Sequence, residues 1–553
     1  MWAGTTGNGG LGGIMRAKIR QWWPFAVLGA VFGGLVVLNM SCHDHWLDSD
    51  MAAEMIFSRL LAESGHVFAT EEWYYSTEFR FLYTQLVMAP LFRLSQDWHL
   101  IRMITNIVTY VLMLASYFYM MKPLKVDRRW VALTGAVLLL PFSETMMTHM
   151  QMGNTYMPHV ILLFFYLGLF LRLVQKVAYP RWRRWEMAAV YLLLSVICGV
   201  SGVRYLLAMQ CPLALAALLY LAFSGEWKQF RRQFGTDTGK KSFRQVWKSG
   251  RAAYLYCGLL GAGGSLLGYC LNVLWVSRQY VFQTYETTNF IAVYQGILAE
   301  RVQNAIGSLL MLFGYIPDKG FLSIRGIITM LSFVAIALCV YCSARVYRGS
   351  CGQRFFVALF LAVSMGLNLF VFVFTTSTMV PRYYITTLIF ALPVFTFYME
   401  GREPAFDRLA VSLLLACCFL MGTAKVTLSY LSADKNQGKR AVAAFLQENG
   451  YDFGFATYWN ANIMTELTDG AVEIANIGDP EYLEFFKWSS PMRYYEEGYH
   501  QGETFLLLTA EQRAEYAGAE ALQVGEVVYQ DGDYTVYVYE SVEELMSCAA
   551  QRD

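Results

Sequence analysis

Long apolar runs follow one another along the chain as far as Leu428, and none follows Leu431. A helix of about 20 apolar residues crosses a bilayer. The pattern predicts spans near 22–40, 99–121, 130–147, 157–174, 187–201, 205–223, 253–276, 324–342, 355–376, 382–399 and 408–428. Ala305 to Ile316 is apolar but short, which predicts a re-entrant or interfacial piece. Between the first two runs, Met51, Met55, Ile56, Phe57, Leu60 and Leu61 recur at helical spacing after Ser49. They predict an amphipathic helix lying on the membrane surface, capped by Asp50 and ended by Gly65. A second surface helix is expected over about Phe79 to Leu94.

Beyond Ala433 the pattern changes. A helix is expected over Lys439 to Asn449 and another over Asn460 to Leu467. Strands are expected at Phe453–Ala456, Val472–Ile474, Thr504–Leu508, Gln523–Tyr529 and Tyr534–Tyr539, which makes a small α/β domain. The expected organisation is therefore a disordered basic N-terminus at 1–21, a membrane domain at 22–428 and a C-terminal domain at 429–553. The fold class is a polytopic α-helical membrane protein with about 11 transmembrane helices.

Composition and charge refine this reading. Only 15% of the 553 residues are charged, against about 25% in soluble proteins. The net charge of +1 gives no footprint for nucleic acid. Of the eleven cysteines only Cys548 lies in the tail, so no disulfide framework is expected. Basic clusters at Lys122–Arg129, Arg172–Arg184, Arg231–Arg251 and Arg345–Arg354 share one side with the basic N-terminus if there are eleven spans. The positive-inside rule makes that side cytoplasmic. The loop 41–98, the segments 146–157 and 277–323, the turn 377–382 and the tail are then extracytoplasmic. The first run, preceded by Arg16, Lys18 and Arg20, reads as an uncleaved anchor, since no small-residue cleavage site follows.

The outer loops hold the candidate chemistry. Asp48 and Asp50 follow the first span, with His43 and His45 upstream. Two histidines and two aspartates within eight residues suit a divalent metal such as Mg or Mn, with His43, His45 and Asp48 as its ligands. Glu144, His149, Gln151, Asn154 and His159 form a second polar cluster, for substrate contact or a structural hydrogen-bond network.

In layout over 22–428, and in Leu47-Asp48-Ser49-Asp50, Trp73-Tyr74-Tyr75-Ser76-Thr77-Glu78 and Pro381-Arg382-Tyr383, the chain resembles the GT-C glycosyltransferases. That superfamily includes the protein O-mannosyltransferases, the catalytic subunit of oligosaccharyltransferase and the aminoarabinose transferase acting on lipid A. The resemblance implies a hexosyl- or pentosyltransferase. Its donor would be a polyprenyl-phosphate-linked sugar among membrane lipids, and its acceptor a cell-envelope glycan, lipid or protein. Such a transfer needs a base for the acceptor proton, for which Asp50 is the first choice and Asp48 the second. It needs a cation for the departing phosphate, for which Arg382 and Arg204 are the candidates. Glu78, Tyr75, His149 and Tyr383 are expected to line the site. Trp459 and Asn462, just past a strand end where α/β sheets bind ligands, are expected to stack on sugar and bond its hydroxyls. Bland alternatives stand beside each: snorkelling for Arg382, capping and core packing for the tail residues. At the level of the whole chain, the rivals are a lipid or solute transporter or flippase and a non-catalytic membrane scaffold.

Overall fold

The structure, a computed structural model, describes residues 11–153, 155–175, 180–232, 246–283, 288–292 and 296–550. Asn154 and part of the third basic cluster lie outside the described residues. Helix α1 spans Leu11–Cys42. It begins inside the stretch expected to be disordered, because Ile14, Met15, Arg16, Ala17 and Lys18 continue the chain in good helix formers without a break. Among the described residues six helices are long and apolar enough to cross a membrane, and the pair Arg128–Leu139 and Glu144–Met152, bent by 91°, makes up to seven. Met157–Leu173 and Leu206–Ala222 are apolar but shorter. The expected count of about eleven is thus met in part. Arg181–Val200 spends its first turns on Arg181, Arg183, Arg184 and Glu186, and the run at 382–399 is broken into Pro381–Tyr384, Ile385–Leu388 and Ala391–Met399. Ile297–Leu312 does not qualify as a span. It packs on the Pro381–Tyr384 turn, where the Tyr384 hydroxyl donates to the Ala305 carbonyl at 2.9 Å.

Small residues set the closest helix contact. A Cβ on Gly199 would lie 1.9 Å from the Ser265 carbonyl oxygen, and one on Gly268 would lie 2.0 Å from that of Val196. Side-chain-free positions let the backbones of Arg181–Val200 and Ala252–Leu271 touch, as membrane helices do when no hydrophobic force drives them together. At the 91° bend, irregular backbone needs partners. Asn39 Nδ2 donates to the Gln151 carbonyl (3.1 Å), Asn106 Nδ2 donates to Asn39 Oδ1 (2.7 Å), and the Tyr110 hydroxyl also reaches Gln151.

In the first loop, α2 spans Ser49–Ser64 and stops at Gly65, whose φ of 74° is one that glycine adopts freely. Its cap is Asp48, which accepts from the Met51 amide at 2.9 Å; Asp50 is left in the first turn. Far from lying on a surface, α2 buries Met51, Met55 and Leu61 completely. The second helix, α3, is shorter than expected at Gln85–Phe92, because Glu78, Arg80 and Tyr83 turn inward to polar partners instead of continuing it. Helix α4 then runs over Trp98–Met121. Trp73–Tyr75 pairs in parallel with Val281–Phe282 and antiparallel with Ser490–Pro491, stitching three distant segments together.

The tail forms a five-stranded sheet. Its strands are β1 (Phe453–Thr457), β2 (Glu473–Ile477), β3 (Thr504–Thr509), β4 (Glu526–Gln530) and β5 (Tyr534–Tyr539), in the order β2-β1-β3-β5-β4. β1 is parallel to β2 and β3, and β5 is antiparallel to β3 and β4. Along β3 the side chains alternate between two cores. Phe505 and Leu507 join Val442, Leu446 and Met464 from the helices on one face, while Leu506 and Leu508 join Phe453 and Tyr537 on the other.

Candidate functional site

The tail returns to the first loop immediately after the last long helix. The indole of Trp46 stacks on Tyr430 at 3.8 Å and donates to the Ala433 carbonyl. Asn436 Nδ2 donates to the carbonyls of Asp44 and Leu47, each at 2.9 Å. The helix Tyr458–Leu467 then lies alongside α2 in the same direction. Tyr458 meets Ser49 and Asp50 at one end, and the Gly470 carbonyl takes Arg59 Nη1 (3.0 Å) at the other. Between them Ile463 packs on Leu47 and Met51. Arg102, wholly buried on α4, grips Glu466 with Nε at 2.9 Å and Nη2 at 2.7 Å and also reaches the Met51 carbonyl. A paired, hydrogen-bonded charge is the form in which buried ions are tolerated.

This docking fixes the acids. The Tyr458 hydroxyl donates to Asp50 Oδ1 at 2.7 Å. Burial and the neighbouring Asp50 charge push the Asp48 carboxyl up to about 6, against the opposing pull of the Met51 amide, Arg102 and Arg382. One turn beyond Asp50, Glu54 is buried and pushed up to about 7, although it pairs with Arg80 (3.0 Å) and accepts from Thr84 (2.9 Å). Arg80 lies over the Tyr83 ring, and Arg204, paired with Glu78, lies over Tyr156. Arg382 differs. Apart from the neighbouring Tyr383 ring at 5.9 Å, it has no ion pair or side-chain hydrogen bond among the described residues. Its charge acts on Asp48, His149 and Tyr156, and His149 feels Asp50 as well. His149 also contacts Thr155 (3.1 Å) and the edge of Tyr156.

Asp48, Asp50, Glu78, His149, Arg204, Arg382 and Tyr383 are therefore gathered into one polar cluster at one end of the helical bundle. Arg204, half-buried in a short turn, is paired with Glu78. The Tyr75 hydroxyl exchanges hydrogen bonds with the Thr70 backbone inside an aromatic core, and the residue lines a small pocket with Glu54, Glu78 and Arg80. Trp459 is 60% exposed and edge-on to Tyr458, beside the cluster. Asn462 is fully buried, and neither of its amide atoms has a hydrogen-bond partner among the described residues. His159 is held by Tyr205 at 2.6 Å, which makes its place in the second cluster structural.

The expected metal set is not assembled. The turn Asp44–Trp46 carries His43 into the core beside Arg102, where burial and that guanidinium hold its imidazole near 3. The same turn leaves Asp48 at the start of α2 with its carboxylate on the Met51 amide. Among the described residues no three His, Cys, Asp or Glu side chains are grouped to hold a metal ion. Held in this way, His43, His45 and Asp48 do not fit a divalent metal.

An apolar cavity of about 940 Å³ runs between the helices; none of the clustered residues lines it, but Met146 and Ile385, each three residues from His149 and Arg382, do. Ile385 and Leu388 line it near the Arg382 turn, and Trp23, Arg129 and Arg408 lie along it toward the far end of the bundle. Ile385 follows Arg382 by three residues, so the two share a helical face.

No known family's sequence profile matches the chain, and no curated protein matches it in sequence. Among solved structures it is similar to the Archaeoglobus fulgidus oligosaccharyltransferase, in a crystal structure of its complex with Zn and sulfate. The TM-score is 0.47 and the identity 10%, over 88% of this chain and 69% of that one.

Sequence reasoning missed Tyr458, Arg102 and Tyr156 as members of the site and its support. Glu54 carried a usable signal, since it lies four residues after Asp50 on a helix already expected. Tyr458 heads the run after a strand end where a ligand site is expected, but its contact with Asp50, 408 residues away, has no local signal.

Proposed function

We propose that the chain is a membrane glycosyltransferase of GT-C type. In this reading it moves a hexose or pentose from a polyprenyl-phosphate donor to a cell-envelope glycan, lipid or protein on the outer face. In this reading 22–428 is the membrane domain and the α/β domain at 429–553 lies on the extracytoplasmic side, as the positive-inside rule implies for eleven spans. One observation supports the reading: the Asp48–Asp50 pair shares a polar cluster with an arginine that has no ion pair among the described residues, and three residues after that arginine Ile385 lines an apolar cavity. Small polar solutes would not call for such a cavity, whereas a lipid-linked sugar presents an apolar chain, a phosphate and a reacting carbon in that order.

The polyprenyl chain lies in the cavity and its phosphate faces Arg382, whose planar fork matches phosphate oxygens. Asp50, with Oδ1 held by Tyr458, takes the acceptor proton on Oδ2. The acceptor oxygen bonds the anomeric carbon. The bond from that carbon to the phosphate oxygen breaks, and the electron pair leaves on the phosphate beside Arg382, with inversion. Tyr383 and His149 flank this path.

The test is transfer of label from radiolabelled polyprenyl-phosphate hexose or pentose to a cell-envelope extract by the purified protein. Asp50→Asn should abolish transfer while the protein stays folded, because the cap of α2 belongs to Asp48. Arg382→Gln should raise the donor KM. Transfer that survives Asp50→Asn would exclude Asp50 as the base.

A further inference from the structure

Resting on the reading of Asp50 as base, we propose that Tyr458 is the positioning residue for that carboxylate, which makes the C-terminal domain a working part of the reacting site. A carboxylate in the first turn of a helix turns easily about its last bond, whose torsional preference is broad. A base must instead hold one oxygen within hydrogen-bond reach of the acceptor proton. The Tyr458 phenol does this from across the domain boundary: it occupies Oδ1 at 2.7 Å and leaves Oδ2 without a partner among the described residues.

The phenol is itself rigidly held. Tyr458 is buried, with the Trp459 and Phe486 rings edge-on at 5.2 and 6.0 Å. Its carbonyl accepts from the Ser49 hydroxyl, the residue between the two acids. Eight residues on, the grip of Arg102 on Glu466 prevents the helix from sliding along α2. Burial holds the phenol well above its ordinary titration range, so it remains a proton donor and does not compete for the acceptor's proton. The strand β1 delivers Tyr458 to this place directly, since the helix begins at the residue after the strand ends.

The full-length protein is compared with Tyr458→Phe and with 4-aminophenylalanine at position 458, which restores a donor on a ring of nearly the same size. Transfer is measured with radiolabelled polyprenyl-phosphate hexose and cell-envelope extract. A hydrogen bond to a charged group sets the expected loss: kcat of Tyr458→Phe falls about ten- to a hundredfold. The donor KM stays unchanged, because Tyr458 touches Asp50 and not the donor. The amine variant recovers most of kcat, which a purely packing role would not produce. A wild-type kcat in Tyr458→Phe, or an equal loss in both variants, overturns the inference. Asp50→Asn runs beside them. Transfer retained there removes the base reading itself, whereas transfer lost there but intact in Tyr458→Phe removes only the positioning role.

Discussion

The Arg102–Glu466 pair gives the sharpest quantitative expectation. Glu466→Gln keeps size and shape but leaves the Arg102 guanidinium buried without a counter-charge; Arg102 is 0% exposed and the Glu466 side chain only 6%, so solvent screening takes little from the effect. Breaking one side of a buried pair costs about 3–5 kcal/mol. At about 1.4 kcal/mol per tenfold, the docked state of the Tyr458–Leu467 helix loses roughly two to three and a half orders of magnitude in its equilibrium. Hydrogen exchange of the 458–467 amides in detergent, read by mass spectrometry, should accelerate accordingly in Glu466→Gln. The double change Arg102→Met with Glu466→Leu should exchange about as slowly as wild type, because apolar replacement of a whole buried pair is often neutral. Unchanged exchange in the single variant would refute the argument. A double variant as fast as the single one would assign the loss to the Arg102 bond with the Met51 carbonyl instead of to the stranded charge.

Two further expectations concern stability. The Asp48 carboxyl stands at about 6 in the fold, above its ordinary 3.8, so between those values the folded state keeps a proton that the unfolded state has lost. Stability therefore falls as pH rises from about 4 to about 6, and Asp48→Asn, which preserves the cap, should flatten that limb of a melting-temperature profile; parallel profiles would contradict it. Gly268→Ala should lower stability by about 1–3 kcal/mol through overpacking against Val196, whereas Gly263→Ala, with nothing within 4 Å, should behave as wild type in detergent melting.

The sequence made the apolar runs and the tail strands legible because both rest on local periodicity: β5 falls at Tyr534–Tyr539, where its alternation predicted it. Local signals failed where neighbours compete. Asp48, Ser49 and Asp50 all cap helices well, and the backbone chose the first. Burial of α2 was illegible, since an amphipathic pattern reads the same against lipid or against the Tyr458–Leu467 helix. Among the described residues six to seven long helices stand where eleven runs were read, because hydropathy joins segments that polar side chains such as Asn39 and Asn106 allow to bend. The acid pair and Arg382 were readable by type and place. Their supports, Arg102 and Tyr458, were not, because only folding brings them there.

The stitch of Trp73–Tyr75 with Val281–Phe282 and Ser490–Pro491 bears on biogenesis. Its strands emerge from the ribosome early, midway and late, so the ribbon closes only once nearly the whole polypeptide has been synthesised and delivered. Until then Trp73–Tyr75 offers unpaired backbone edges, a surface that invites wrong partners. Pairings so remote in sequence also form slowly. Helix α2, which packs on this ribbon through Phe57, consequently reaches its final packing late, and a chain truncated before residue 490 would be inserted yet inert.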